Sequence, residues 1–127
     1  LVNEVLMKPV IDREEILLRV DNDWRLLSLI IKLFLDKHKT LLQSLREGIQ
    51  ANDGDRVLRA AHSLKGMAGN FSARAVIATA NQLEDAGQSG DLSCAPGLLA
   101  QLESDLRELK NALLDLKEEY QNSTPVY

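Results

Sequence analysis

The fold is decided by the stretch VLRAAHSLKGMAGNF, which runs from Val57 to Phe71. At about 100° of rotation per residue, its main apolar side chains fall within about 40° of one direction on a helical wheel. These side chains are Val57, Ala61, Leu64, Ala68 and Phe71. The stretch therefore predicts an amphipathic helix that buries one face in a core.

The other side of this helix carries residues of a different kind. His62, Lys65, Gly66 and Gly69 lie about 80° to 180° away from Val57, so we expect the imidazole of His62 to point into solvent. Imidazole is mostly neutral at pH 7, which leaves a ring nitrogen available as a nucleophile. Lys65 lies one turn further on, where its ammonium can offset negative charge carried by that ring.

The two glycines on this face have two possible explanations. Glycine within a helix is less favourable than alanine by roughly 1 kcal/mol. Gly66 and Gly69 therefore indicate either that a large molecule approaches His62 or that another helix packs closely there. An exposed histidine near a lysine is common on helices, so the pair by itself does not establish a site.

Helical periodicity extends over most of the chain. The expected helices run from about Asp12 to Val20, from a cap at Asp21 or Asn22 to about Gln50, from about Asp55 to Gly69, from a cap at Ser72 to about Ala86, and from a cap at Ser93 to about Tyr120. Short links between amphipathic helices make neighbours antiparallel. We expect an all-α fold, an antiparallel up-down four-helix bundle with a short additional N-terminal helix.

Composition narrows the function classes. The 127 residues are enough for one domain, and aromatic residues make up only 4%, which suits packed helices better than a β-sandwich. A formal net charge of -4 argues against nucleic acid as a partner. No apolar run approaches the roughly 20 residues that cross a bilayer, so we expect no direct membrane contact. The single Cys94 is compatible with a reducing, cytoplasmic compartment.

His38 and Arg59 are two further candidate site residues. His38 lies on the apolar stripe of the long helix, at i+4 from Phe34, which indicates a core or boundary histidine with one hydrogen bond. Arg59, one turn before His62, is placed to meet an acidic partner, but a solvated basic residue is its default interpretation.

The string from His62 to Phe71 resembles the histidine phosphotransfer (HPt) family, whose signature is His-x-x-Lys-Gly within a helical hairpin, often with a small residue one turn later. The resemblance extends from about Ile11 to Leu116. It implies that His62 accepts a phosphoryl group on Nε2 from a receiver-domain aspartate and passes it to a downstream response regulator. The chain would then be a phosphoryl carrier rather than an enzyme.

The resemblance also implies roles for the neighbouring residues. Lys65 matches the lysine that offsets phosphoryl charge, Gly66 matches the glycine that keeps the approach open, and Gly69 matches the further small position. Glu84 falls where the family has a polar residue that bonds the other ring nitrogen, although a solvated glutamate is an equal alternative. Ser72 departs from the family, which often has glycine there.

Partners and domain organisation follow from the same resemblance. The expected partners are receiver domains of response regulators or of its own hybrid kinase, with Mg²⁺ supplied by the receiver and no cofactor or metal bound by this chain. A monomer is favoured. Residues 1–10 are expected to be a linker or the end of a preceding receiver domain, because Lys8-Pro9 resembles the Lys-Pro pair that follows the last strand of a receiver domain. Residues 11–120 would form the bundle and residues 121–127 a disordered tail.

This domain organisation implies that the chain is the C-terminal module of a bacterial hybrid sensor histidine kinase, on the cytoplasmic side of the inner membrane. Two alternatives stay open at this point. One is a helical adaptor or dimerisation module in which His62 is incidental, and the other is an autonomous enzyme that uses His62 as a general base.

Overall fold

The computed structural model describes residues 10–123, with side chains through Gln121. This part of the chain forms helices α1 (Arg13–Arg19), α2 (Trp24–Gln50), α3 (Gly54–Gly69), α4 (Arg74–Ser89) and α5 (Ala95–Ser123), with no strand among the described residues. Each of α2, α3, α4 and α5 packs against the helix before or after it, and α5 closes the ring against α2. The structure confirms the predicted four-helix bundle with a short additional helix.

The core follows the stripe predicted for α3. Val57, Ala61, Leu64, Ala68 and Phe71 are all completely buried. Phe71 meets Phe34 of α2 edge to face, with ring centroids 5.6 Å apart. The core face of α3 therefore packs inside the bundle, where α3 contacts both α2 and α4, and the face that carries His62 is exposed.

Helices α3 and α4 approach each other very closely near one end. A Cβ added to Gly54 would lie 2.5 Å from the carbonyl oxygen of Gly87, and one added to Gly87 would lie 2.6 Å from that of Gly54. Only glycine fits at either position, because any side chain would overlap backbone atoms. This crossing lies one turn beyond Glu84 and brings α4 within reach of the side chains on α3.

The predicted cap of α2 was wrong, and α3 begins one residue before its predicted start at about Asp55. Helix α2 is capped by Asp23, whose carboxylate accepts from the N–H groups of Arg25 and Leu26. Asp21 and Asn22 do not cap it, because both adopt left-handed backbone conformations with φ of 54° and 58°. Helix α3 begins at Gly54 rather than Asp55, because Asp53 caps it by accepting from Arg56 N–H. The aspartate closest to each helix provides the cap.

The prediction of Ser72 as the cap of α4 was also wrong. Ala73 occupies the cap position and makes no side-chain cap bond, while Ser72 has a φ of 51°. A glycine adopts this left-handed conformation without strain, which explains why glycine suits this position. Helix α4 continues past the predicted Ala86 to Ser89 and ends at Gly90, which also has positive φ.

The last helix is longer than predicted, and its predicted cap was wrong. Ser93 does not cap α5, because the helix begins at Ala95 and the N–H of Leu98 bonds the carbonyl of Cys94. The helix continues to Ser123, where a disordered tail was expected from residue 121. Tyr120 stacks on Trp24 of α2 with ring centroids 4.7 Å apart, which anchors this end of α5. The predicted receiver-domain end at residues 1–9 and the rest of the tail, 124–127, lie outside the described residues.

Candidate functional site

The imidazole of His62 points into solvent from the middle of α3. Its side chain is 71% exposed, whereas Ala61 and Leu64, on the core face, are fully buried. The helical wheel therefore predicted its direction correctly. A histidine in this position can be reached by another protein without any opening of the bundle.

Glu84 approaches His62 from α4. Its Oε2 atom lies 3.5 Å from Nδ1 of His62, and its side chain is only 19% exposed. The structure thus brings the two predicted residues together, and Glu84 is not an ordinary solvated glutamate. Because Nδ1 faces this carboxylate, the ring nitrogen left without a partner among the described residues is Nε2.

Lys65 shares the same carboxylate. Its Nζ lies 2.8 Å from Oε2 of Glu84 and also donates a hydrogen bond to Oδ1 of Asn81, at 3.3 Å. The contact with Lys65 lowers the pKa of Glu84, burial opposes this effect, and the contact with His62 lowers the pKa further. Glu84 is therefore a carboxylate at neutral pH, and it stands between an ammonium group and an imidazole.

Gly66 and Gly69 leave the surface next to His62 open. A Cβ added to either glycine would meet no atom within 4 Å outside its own helix and chain neighbours. Close helix packing, one of the two explanations offered by the sequence, is therefore excluded for the described residues. The remaining explanation is an approaching molecule.

An apolar groove runs beside His62 between α2 and α3, with a volume of about 600 Å³. It is lined from α2 by Ile30, Leu33, Phe34, Lys37 and Leu41, and from α3 and the turn after it by His62, Ser63, Gly66, Met67, Asn70 and Phe71. We call this surface the His62 groove. Exposed Leu26 and Leu29 extend it along α2 beyond Leu33. The sequence could have identified these leucines, because they fall outside the buried stripe of α2.

The other histidine is part of the core. His38 is 6% exposed and stacks on Phe34, with ring centroids 5.1 Å apart. Its Nδ1 lies 3.2 Å from the carbonyl oxygen of Phe34 and 3.0 Å from that of Leu35. The prediction of a core histidine is confirmed, with two carbonyl neighbours instead of one. Arg59 is exposed and pairs with Asp55 on its own helix.

Sequence reasoning missed two residues at this end of the bundle. Asn81 precedes Glu84 by three residues on α4, and that spacing alone would have placed it on the same face. Arg19 of α1 bonds the turn after α3, across about fifty residues of chain, and no local pattern reveals such a contact. Among residues 10–123, no group of three or more His, Cys, Asp or Glu residues could hold a metal ion. Nor does any described helix combine the length and apolarity that a membrane span requires.

Comparisons with known proteins agree with this geometry. The family model described as the Hpt domain matches residues 29–112. The fold is similar to the crystal structure of histidine-containing phosphotransfer protein B (HptB) from Pseudomonas aeruginosa PAO1, with a TM-score of 0.82 and 23% sequence identity over 90% of this chain and 99% of that one. A search of curated proteins gave no match. Because the family model covers more than half of the sequence, this chain belongs to the Hpt domain family, and its function is histidine phosphotransfer in a phosphorelay.

Proposed function

We propose that His62 is the phospho-accepting histidine and that Nε2 is the atom that receives the phosphoryl group. One observation carries the proposal: the exposed imidazole turns Nδ1 towards the Glu84 carboxylate, 3.5 Å away. A carboxylate beside Nδ1 favours the tautomer with the proton on that nitrogen and leaves the lone pair on Nε2. His38 is buried among aromatic and backbone atoms and offers no such access.

The reaction is a direct displacement at phosphorus. The Nε2 lone pair of His62 attacks the aspartyl phosphate of a receiver domain, a nitrogen–phosphorus bond forms, and the bond from phosphorus to the aspartate oxygen breaks. The aspartate leaves as a carboxylate, and the proton on Nδ1 stays on the ring, facing Glu84. The reverse displacement delivers the group to a second receiver. Such transfers depend on positioning and charge neutralisation more than on covalent chemistry by the protein.

Lys65 supplies a positive charge beside His62. Its ammonium is held 2.8 Å from Glu84, so it remains beside the ring in the resting protein. When a phosphoryl group arrives, the ammonium can turn part of its hydrogen bonding towards the new oxygens while Asn81 and Glu84 keep it in place. Glu84 would therefore serve two purposes, orientation of the imidazole and positioning of the lysine.

The His62 groove is the surface on which we expect the receiver to dock. Its apolar lining and the exposed leucines of α2 provide contact area, and Gly66 and Gly69 let the partner's phosphorylated pocket reach the ring. Exposed Lys37 at the groove would favour an acidic partner surface. The receiver's own acidic residues would hold the Mg²⁺ that neutralises phosphate charge during transfer.

Several finer points belong to the same proposal. The domain would act as a carrier without turnover of its own, and its partners would be receivers of separate response regulators or of its parent hybrid kinase. We expect a monomer that works in the cytoplasm. Exposed, unpaired Cys94 is compatible with that reducing compartment.

The test is phosphoryl transfer from receivers charged with Mg²⁺ and acetyl phosphate. The wild-type chain should acquire label that acid removes and base preserves, as expected of phosphohistidine. His62→Gln should acquire none, while His38→Gln, with its fold checked by circular dichroism, should still be labelled. Label persisting in His62→Gln would refute the assignment of the residue. A wild-type chain that no receiver labels would favour the adaptor alternative.

A further inference from the structure

Arg19 ties the short helix α1 to the turn that ends α3. One guanidinium nitrogen, Nη1, donates to the carbonyl oxygens of Gly69 and Asn70, each at 2.9 Å. The other, Nη2, donates to the hydroxyl of Ser72 and to the carboxylate of Glu15, each at 3.2 Å. A single side chain therefore binds three acceptors in the turn from Gly69 to Ser72 and one on its own helix.

The turn needs such a partner for two reasons. The last carbonyl groups of a helix have no N–H partner within the helix. Here the carbonyl of Gly69 accepts from the N–H of Ser72, at 3.3 Å, and Arg19 adds a second donor to it and a donor to the carbonyl of Asn70. Ser72 adopts a left-handed conformation, which is unfavourable for a residue other than glycine by roughly 1–2 kcal/mol. The planar guanidinium, with several donors in a fixed arrangement, satisfies these acceptors together.

The same turn forms one end of the His62 groove. Asn70, whose carbonyl accepts from Arg19, and Phe71, the next residue, both line the groove together with His62. Phe71 is held from the inside by Phe34, but the backbone of the turn is held from the outside by Arg19. A change in this turn would therefore alter the shape of the groove.

We propose that Arg19 is a positioning residue for receiver docking: it holds the turn from Gly69 to Ser72 in the conformation that completes the His62 groove. This inference rests on the proposed function, because it assumes that the receiver docks in that groove. Arg19 itself touches neither the imidazole nor the transferred group. Its effect should therefore appear in affinity for the receiver and leave the chemical step unchanged.

The experiment compares Arg19→Gln with Arg13→Gln. Arg13 is a matched control, because it is an exposed arginine on the same helix that pairs with Glu119 of α5. Transfer is measured against concentration of the phosphorylated receiver that labels the wild type fastest in a panel. We expect Arg19→Gln to raise KM by about three- to tenfold, with kcat within about twofold of wild type. Arg13→Gln should change neither constant by more than about twofold.

A structural readout accompanies the kinetics. Amide exchange of Phe71 and Ala73, whose N–H groups bond the carbonyl of Ala68, should become faster in Arg19→Gln and stay unchanged in Arg13→Gln. Arg19→Lys, which keeps the charge but has a single donor group, should give an intermediate KM.

Three results would overturn the inference. An unchanged KM in Arg19→Gln, a fall in kcat alone, or an equal effect of Arg13→Gln would each show that Arg19 does not position the groove. These results differ from failure of the proposed function. In that case the wild-type chain itself would take no label from any receiver, and the inference about Arg19 would fall with it.

Discussion

The Nζ atom of Lys65 lies 2.8 Å from Oε2 of Glu84, so the cation next to His62 already has an anionic partner in the resting domain. An incoming phosphoryl group therefore meets an ion pair and not a free ammonium. The ion pair is partly exposed, which weakens it through solvent screening and allows the ammonium to be shared. The predictions below separate the contributions of this pair from those of the open helix surface.

Removal of the Lys65 ammonium should slow phosphoryl transfer without unfolding the domain. Lys65→Ala removes the ammonium that lies against Glu84 beside His62, and we expect the rate of labelling to fall about tenfold. Helicity measured by circular dichroism should be unchanged, because Lys65 lies outside the core. Lys32→Ala removes an exposed lysine from another face of α2 and serves as the control. Equal rates for Lys65→Ala and wild type would refute the role assigned to Lys65.

The lowered pKa of Glu84 predicts how the free energy of unfolding depends on pH. A carboxyl group whose pKa is lower in the folded state than its ordinary value of 4.5 stabilises the fold above that value. This stabilisation is lost as pH falls through the folded-state pKa. The difference in free energy of unfolding between wild type and Glu84→Gln should therefore be present at pH 7 and shrink below about pH 4.5. Chemical denaturation over this pH range measures it, and a difference that stays constant into the acidic range would contradict the prediction.

Gly66 and Gly87 should respond oppositely to added side chains. Gly66→Leu places its side chain in open space, so the domain should fold while docking is obstructed and KM for the receiver rises. Gly87→Ala forces a methyl group against the backbone of Gly54 and Leu58, and should reduce the free energy of unfolding by about 1–3 kcal/mol. Thermal unfolding and transfer kinetics on both variants distinguish the two effects. Unfolding of Gly66→Leu would contradict this prediction.

Asn81 should influence how strongly His62 retains the phosphoryl group. Asn81→Asp would add a second carboxylate beside Lys65, so the negatively charged phosphohistidine should become less favourable. We expect the equilibrium ratio of phosphohistidine to receiver aspartyl phosphate to fall by about two- to fivefold at moderate salt. Asn111→Asp, an exposed change on α5, gives the same net charge and is the control. Equal shifts in both variants would mean that only overall charge matters.

The parts of the fold and site that lie within one helix could be predicted from the sequence. Helical rotation alone oriented His62 outward and Leu64 inward, since both residues belong to a single rigid element. Periodicity likewise predicted the number and order of the helices. Glu84 required the resemblance, because its contact with His62 depends on how α3 and α4 are packed.

The errors arose where tertiary structure sets the backbone. Asp, Asn and Ser are residue types that often cap helices. Asp21, Asn22 and Ser72 nevertheless each adopt a left-handed conformation in a turn. The choice between cap and turn is made by contacts such as those of Arg19 with the end of α3, which join residues far apart in the chain. No local pattern contains that information.

The aromatic rings of Phe34 and Phe71 belong both to the interior of the bundle and to the floor of the His62 groove. Both side chains are almost completely buried, so the floor of the groove is continuous with the core of the bundle. A receiver bound there would bind the folded domain and not the unfolded chain, and by mass action its presence should raise the melting temperature of the domain.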